Sequence, residues 1–404
     1  MRIVIATDVF PPQIIGSSTV VYNLARGLVS KGYEVAVFAP SHKGFSRIEE
    51  TEGIKIYRFT SIPVPYFKEA RTSVTPITIF KRMRRIKPDI VHIHHPFIIG
   101  RSALMAAKKL HIPTVTTNHM LPESFFMLFP ISNSFDRYRK NLDLTWKFII
   151  GFLNRADAVI SPTESGLAIL KLHGLKPKGI AISNGIDPKQ FSQKNDGEYL
   201  RDKYTLPSKP IILYTGRLSE EKRVDVLIRS IPYVLKRVNV HFLIVGEGLH
   251  KKSLERLACS LGVREHITFT GFLKTRDYPN VYSIADIYVM PSMCELQSIT
   301  TLEALASGLP VVVAEKYALP ELVHAGENGY LFEPGDHQDL ADKVIKLLSN
   351  KKIIKMGKKS LEIARNHSLK SSIEKYEDIY KMVKGGDLYE RTDREGIPYG
   401  TRVS

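Results

Sequence analysis

The chain runs to 404 residues, 43% of them hydrophobic, with a formal net charge of +17 and two cysteines. That length holds two domains of ordinary size and that apolar share builds ordinary cores, which excludes a disordered or fibrous chain. Cys259 and Cys294 stand in no metal or redox spacing, which excludes a disulfide framework and fits a reducing cytoplasm; no stretch of about 18 consecutive apolar residues is present to form a transmembrane helix.

The opening MRIVIATDVFPP is too short and too soon interrupted for a secretory signal and reads as a first buried strand. Strands are predicted at Arg2–Thr7, Glu34–Ala39, Ile54–Phe59, Ile90–His94, Thr114–Thr117 and Ala158–Pro162. Between the first two, Ser18–Lys31 carries Val20, Val21, Leu24 and Leu28 at helical spacing. Such alternation predicts an α/β fold with parallel, doubly wound sheets. A polar stretch rich in Pro, Ser, Asn and Asp follows, and the alternation then restarts at Ile211–Thr215. The expected organisation is a first domain over 1–190, a linker over 191–208 and a second domain over 209–369. An amphipathic helix over 370–384 is expected to cross back to the first domain, and 385–404 reads as a disordered tail. Two such sheets facing each other make a cleft, and ligands bind just beyond strand C-termini.

Charge is uneven. Residues 1–195 hold 27 Lys and Arg against 13 Asp and Glu, whereas 196–404 hold 31 against 28. The first half is therefore the part expected to meet something anionic: a phospholipid surface, nucleic acid or a phosphorylated substrate.

Four constellations carry chemistry. In YTGRLSEEKRVDVL a strand ends at Thr215, Gly216 turns the chain, and Arg217 and Lys222 precede a helix. Two cations beside a helix start suit a diphosphate, Arg217 gripping two oxygens and Lys222 adding a compact charge. Glu295 and Glu303, eight positions apart, offer carboxylates to two separated sets of sugar hydroxyls. In the first half, Gly16 follows a Pro-Pro loop and allows close approach of backbone N–H groups to a ligand. His92, His94, His95 and His119 lie at the ends of adjacent strands; His92 reads as a core or cleft residue, and His94 and His95 carry no assigned role.

Gly-Arg-Leu-x-x-x-Lys at Gly216–Lys222, followed by Glu-x7-Glu and Glu-Ala-x-Ala-x-Gly-x-Pro-Val-Val, resembles the retaining glycosyltransferases of family 4. Ser183–Asp187, Val245–Gly248, Gly271-Phe272, Ala285-Asp286 and Val289–Ser292 match further family motifs in order, so the resemblance covers roughly residues 1–380. It implies two Rossmann-like domains facing across a cleft (GT-B) and a nucleotide-diphosphate sugar as co-substrate. Arg217 and Lys222 would hold the diphosphate in place of a metal, and no metal or other cofactor is expected. Glu303 would hold the ribose, and Glu295 and His119 the donor sugar. The backbone of Leu296, Gln297 and Ser298 would reach the sugar or phosphate, and Gly248 would let the chain approach the base. In family 4 a Gly-Gly pair is usual where this chain has Ile15-Gly16.

The acceptor is read from two stretches. Met120–Ile131 is apolar and includes Phe125 and Phe126; Ser134–Arg155 sets Trp146 and aliphatic residues against Arg137, Arg139, Lys140 and Lys147. Together with the basic run Lys81–Lys87, this pattern fits a peripheral protein on the inner face of an anionic membrane. Glu295-Leu296-Gln297-Ser298 and Thr117–Glu123 resemble the family's diacylglycerol glucosyltransferases. The expectation is therefore transfer of a hexose, glucose from UDP-glucose, to a diacylglycerol-type lipid. A soluble sugar or sugar phosphate is the alternative acceptor. A basic nucleic-acid-binding protein is the alternative of another class, but no nucleic-acid motif appears and no nucleic-acid partner is expected.

Overall fold

The computed structural model describes residues 1–13, 16–64, 67–124 and 135–386, and side chains outside 67–70, 76 and 135–139. The first half supplies β1 (Arg2–Ala6), β2 (Glu34–Pro40), β3 (Arg47–Thr51), β4 (Ile54–Phe59), β5 (Ser61–Val64), β6 (Phe67–Ser73), β7 (Ile90–Ile93), β8 (Thr114–Thr117), β9 (Ala158–Ser161) and β10 (Lys178–Ala181). Eight of these form one sheet in the order β10-β9-β8-β7-β1-β2-β4-β3, and β5 pairs with β6 in a separate hairpin. All neighbours in the sheet are parallel except β3, which runs antiparallel to β4. Strand β1 shows why the sheet is covered on both faces. Ile3 and Ile5 enter one hydrophobic cluster, while Val4 and Ala6 enter the other.

The helices of this half are α1 (Gly16–Ser30), α2 (Pro76–Ile86), α3 (Ile98–Lys109), α4 (Phe135–Leu153) and α5 (Glu164–Leu172). A short helix, α6 (Tyr199–Lys203), interrupts the stretch read as a plain linker. The second half then builds a wholly parallel sheet from β11 (Ile211–Thr215), β12 (His241–Val245), β13 (Ile267–Gly271), β14 (Ile287–Met290), β15 (Val311–Ala314) and β16 (Gly329–Phe332). Its order is β13-β12-β11-β14-β15-β16. Around it lie α7 (Val224–Leu235), α8 (Lys251–Ser260), α9 (Ile299–Ala306), α10 (His337–Leu348) and α11 (Ile353–Asn366). Two doubly wound parallel sheets are what the alternation predicts.

The last helix, α12 (Leu369–Gly385), packs on the first sheet. Ile373, Tyr376, Ile379, Tyr380 and Val383 join the cluster of Ile3, Ile5, Leu24 and Val37. Its Glu377 accepts from Lys31 Nζ at 2.5 Å and Tyr33 Oη at 2.6 Å, and Lys384 reaches Asp89 at 2.8 Å. Both strands of the crossing run side by side: Ile186 N–H donates to His367 O at 2.8 Å and Leu369 N–H to Ile186 O at 2.9 Å. Of the tail read from sequence, 387–404 lies outside the described residues. Strands β3, β10, β16 and the β5–β6 hairpin escape the sequence reading. They are short, and β3, β10 and β16 are partly exposed edge strands.

Candidate active site

The loops after β11 and β12 interlock. Leu218 N–H donates to Glu247 O at 2.9 Å and His250 N–H donates to Leu218 O at 3.0 Å. A Cβ on Gly248 would collide with the Leu218 backbone, so Gly248 is demanded by this loop-to-loop packing. This packing is a demand on Gly248 separate from the sequence expectation, in which it makes room for the nucleotide base. The interlock holds the segment that carries Arg217. Its carbonyl accepts from Tyr214 Oη at 2.9 Å, whereas its guanidinium is exposed and makes no hydrogen bond or ion pair among the described residues.

Lys222 ends a 3-10 turn (Glu220–Lys222) before α7 and is mostly covered. Its Nζ sits 2.5 Å from Glu295 Oε1. Glu303, on α9, is 7% exposed, and its Oε2 accepts from Tyr278 Oη at 2.7 Å and Tyr282 Oη at 2.6 Å. Burial pushes its carboxyl up to about 7, although the two phenols pull the other way. Ser298 caps α9, accepting from Thr301 N–H at 3.2 Å. Gln297 Oε1 accepts from Asn184 N–H at 2.7 Å, tying the Glu295 loop to the chain crossing between domains. Leu296 inserts its side chain, with Cys294, among first-domain residues including Leu121 and Trp146, and its carbonyl accepts from Thr163 Oγ1 at 2.7 Å.

The first domain answers from its own strand ends. A Cβ on Gly16 would lie 3.4 Å from Ile299 Cδ1, so the start of α1 reaches α9. Ser165, at the N-terminus of α5, donates its N–H to Glu321 Oε1 at 2.7 Å, and its hydroxyl bonds the same oxygen. His119 follows β8 and is half-buried, with Nε2 2.8 Å from His94 Nδ1. His92, His94 and His95 are buried behind it, and burial lowers the pKa of each: His119 to about 4, His92 and His95 to about 3, and His94 well below the ordinary imidazole value. Among the described residues no three His, Cys, Asp or Glu converge as a metal-binding group.

Glu295, Leu296, Gln297, Ser298, Glu303, Gly216, Arg217, Lys222 and Gly248 therefore come together around the ends of β11, β12 and β14, with Gly16 opposite. Phe125 and Phe126 lie outside the described residues, as do the side chains of Arg137 and Arg139. Lys140 and Lys147 are exposed on α4. Trp146 requires correction. Read as a membrane or acceptor contact, it is 3% exposed, donates Nε1–H to Glu123 at 3.1 Å and stacks on His173. It lies on the inward stripe of α4, and Leu144, Lys147 and Phe148 take the outward one. Sequence reading missed Tyr278, Tyr282, Thr163 and Glu321. The two tyrosines, four positions apart, were a visible signal of one shared face; Glu321 gave none.

Two facing doubly wound sheets, with a free arginine and a lysine–glutamate pair at the strand ends of the second, define a nucleotide-sugar transferase of the GT-B fold. The family description "Glycosyltransferase Family 4" matches residues 14–190 and "Glycosyl transferases group 1" matches 197–371. The chain belongs to glycosyltransferase family 4 and is a retaining, nucleotide-sugar-dependent hexosyltransferase. It is 29% identical to the alpha-monoglucosyldiacylglycerol synthase of Acholeplasma laidlawii over 90% of this chain and 92% of that one. It is 30% identical to a sulfoquinovosyl transferase of Arabidopsis thaliana over 81% of this chain, and spans 63% of that protein's length. The fold matches a sucrose-phosphate synthase from Thermosynechococcus elongatus with a TM-score of 0.78, at 19% identity over 96% of this chain and all of the other.

Proposed function

We propose that this chain transfers glucose from UDP-glucose, with retention, to the hydroxyl of a diacylglycerol-type lipid at an anionic membrane surface. The observation that carries the donor half is the unpartnered Arg217 guanidinium at the end of β11, set near the covered Lys222–Glu295 pair. As the sugar–phosphate bond breaks, negative charge grows on the departing diphosphate. Fixed cations that meet it there lower the barrier without reorganising. Arg217 binds two phosphate oxygens, and Lys222 shares its charge between Glu295 and the diphosphate. The leaving phosphate takes the proton of the acceptor hydroxyl as that oxygen attacks from the same face, so no protein nucleophile is required. Glu303 holds the ribose; Glu295 and His119 hold the sugar.

The lipid half is supported by the surface of the first domain. Ile77 on α2, Met105 on α3, and Leu144 and Phe148 on α4 are exposed large apolar residues. Lys81, Arg84, Arg85, Lys140 and Lys147 are exposed on α2 and α4, and the Arg101 guanidinium stacks on Phe148 at 3.9 Å. Apolar side chains among Lys and Arg are what a protein lying on anionic lipid presents. Two relatives named alpha-monoglucosyldiacylglycerol synthase support that reading. The test is to incubate the protein with UDP-glucose or GDP-mannose and diacylglycerol in phosphatidylglycerol vesicles, and to weigh the product. A glucosyl-diacylglycerol formed only from UDP-glucose is expected; a mannosylated product, or none, overturns the reading.

A phosphorylated acceptor is the second reading. Near the ends of β2 and β4, Arg47 and Arg58 share the carboxylate of Glu49, and among the described residues Arg71 hydrogen-bonds Ser61 alone. That leaves positive charge in excess on the ligand side of the first sheet. Adding a sugar phosphate to the same assay separates the two.

A further inference from the structure

Four histidines cluster between β7, β8 and α12, and the hydrogen bonds of His95, His94 and His119 determine where their protons lie. His92 is bridged between Tyr380 Oη at 2.6 Å and Thr117 Oγ1 at 2.7 Å. His95 Nδ1 lies 3.1 Å from Thr7 Oγ1, whose own proton goes to Val9 O at 2.7 Å. The proton of the His95–Thr7 bond therefore sits on His95 Nδ1, and His95 Nε2 accepts from Ser17 Oγ at 3.3 Å.

His94 is constrained in another way. Its Nδ1 faces His119 Nε2 at 2.8 Å, with the two rings nearly parallel. Its Nε2 is buried and has no partner among the described residues. A neutral imidazole carries one proton. On Nε2 that proton would be a buried donor with nothing to accept it, and orphaned N–H groups are rarer than under-used acceptors. On Nδ1 it makes the bond to His119. His119 Nε2 is then the acceptor, so the proton of a neutral His119 resides on Nδ1. That nitrogen makes no hydrogen bond among the described residues, on a ring that is half-buried at the strand end. Burial disfavours the imidazolium at both residues and so keeps both rings neutral.

We propose that His94 is a positioning residue that fixes His119 as its Nδ1–H tautomer, making His119 a neutral hydrogen-bond donor to a hydroxyl oxygen of the bound sugar. The ligand part rests on the reading of His119 as a sugar contact; the tautomer part does not. In water the Nε2–H form of imidazole predominates, so without His94 the ring would mostly present a bare nitrogen at Nδ1. A sugar hydroxyl there would have to donate rather than accept, and the ring would be free to turn.

The test is the tautomer itself, read from nitrogen-15 spectra of histidine-labelled protein, with His119→Gln used to assign the resonances. His119 is expected to be protonated at Nδ1 in the full chain. His94→Asn, whose amide N–H falls where Nδ1–H was, retains that tautomer and most of kcat. His94→Leu moves His119 to the Nε2–H form and lowers kcat about tenfold, the usual scale for loss of an orienting partner, with an unchanged melting temperature. An Nε2–H tautomer in the parent protein overturns the proposal, as does a folded His94→Leu protein whose His119 spectrum is unaltered. Should His94→Leu fail to fold, the parent and His94→Asn spectra decide. If the tautomer is as stated while His119→Gln transfers glucose at the parent rate, the sugar contact falls and the assignment of His94 stands.

Discussion

In the second domain the polar side chains at the strand ends are largely buried and bonded to one another: Glu303 to two tyrosines, Glu295 to Lys222, Gln297 to the backbone of Asn184. In the first domain, α2 and α4 carry Lys81, Arg84, Arg85, Lys140 and Lys147 on their exposed faces, interleaved with exposed Ile77, Leu144 and Phe148. The two halves of the cleft thus place their polar groups by different means. A small, highly charged donor calls for fixed, desolvated partners, because electrostatic stabilisation is strong only where water is excluded and nothing must reorganise. A surface for a bulky or membrane-borne acceptor calls for apolar area and diffuse positive charge, neither of which needs a defined contact. Breaking Arg217 tests the second-domain side of the cleft most severely. Arg217→Ala is expected to lower kcat by about 10²–10³ while leaving the melting temperature unchanged, since the exposed guanidinium makes no hydrogen bond or ion pair among the described residues. A turnover near that of the parent would detach the diphosphate from this position.

The other half should break by salt and charge rather than by one residue. Flotation with phosphatidylglycerol vesicles is expected to weaken about tenfold between low and physiological salt, and the triple change of Lys81, Arg84 and Arg85 to Glu to remove most of the remainder. Binding that ignores salt, or that survives the charge reversal, would leave the basic face as solubility alone.

How far the sequence spoke follows the same division. The clustering of the second-domain residues was legible because they fall in fixed order on loops after strands: Gly216, Arg217 and Lys222 after β11, and Glu295 to Glu303 after β14. What such order cannot convey is who shares a hydrogen bond. Tyr278 and Tyr282 reach Glu303 through a 3-10 turn more than twenty residues away, and Glu321 meets Ser165 across the domain boundary. Gly248 was legible as a glycine, yet its reason lay in Leu218, thirty residues upstream. Trp146 misled because an amphipathic helix announces two faces without saying which is inside; burial of the aromatic stripe settles that. His94 had no role in sequence because its meaning depends on a single distance to His119 and on an empty second nitrogen.

Glu303 offers a test by pH. Burial raises its carboxyl from the ordinary 4.5 to about 7. An ionised carboxylate accepts two ribose hydroxyls; the protonated form accepts less well. KM for the donor is therefore expected to rise severalfold from pH 8 to pH 6, and Glu303→Gln to raise KM throughout and flatten that dependence. The stability sign runs the other way. The native state holds this proton between about 4.5 and 7, where the unfolded chain has lost it, so Glu303 costs stability as pH rises through that window. Glu303→Gln should accordingly melt higher than the parent above pH 7 relative to their difference at pH 4.5. A flat difference between the two melting curves would mean the carboxyl is not desolvated.

The smallest expected effect concerns α12, which joins the two halves. Hydrogen bonds from Lys31, Lys381 and Tyr33 hold Glu377 down to about 2, below its ordinary 4.5. A depressed carboxyl contributes stability that is present above about 4.5 and is lost as pH falls towards 2. The pairs are near the surface, so solvent screens most of their attraction. Glu377→Gln is expected to lower the melting temperature by about 2 °C at pH 7, and the gap to the parent should close in acid. Because the carboxylate anchors α12 to the turn between α1 and β2 rather than to either ligand, kcat should hold while the amide hydrogens of α12 exchange faster. A variant that melts like the parent at pH 7, with α12 equally protected, would show that the apolar row from Ile373 to Val383 docks the helix without help from charge.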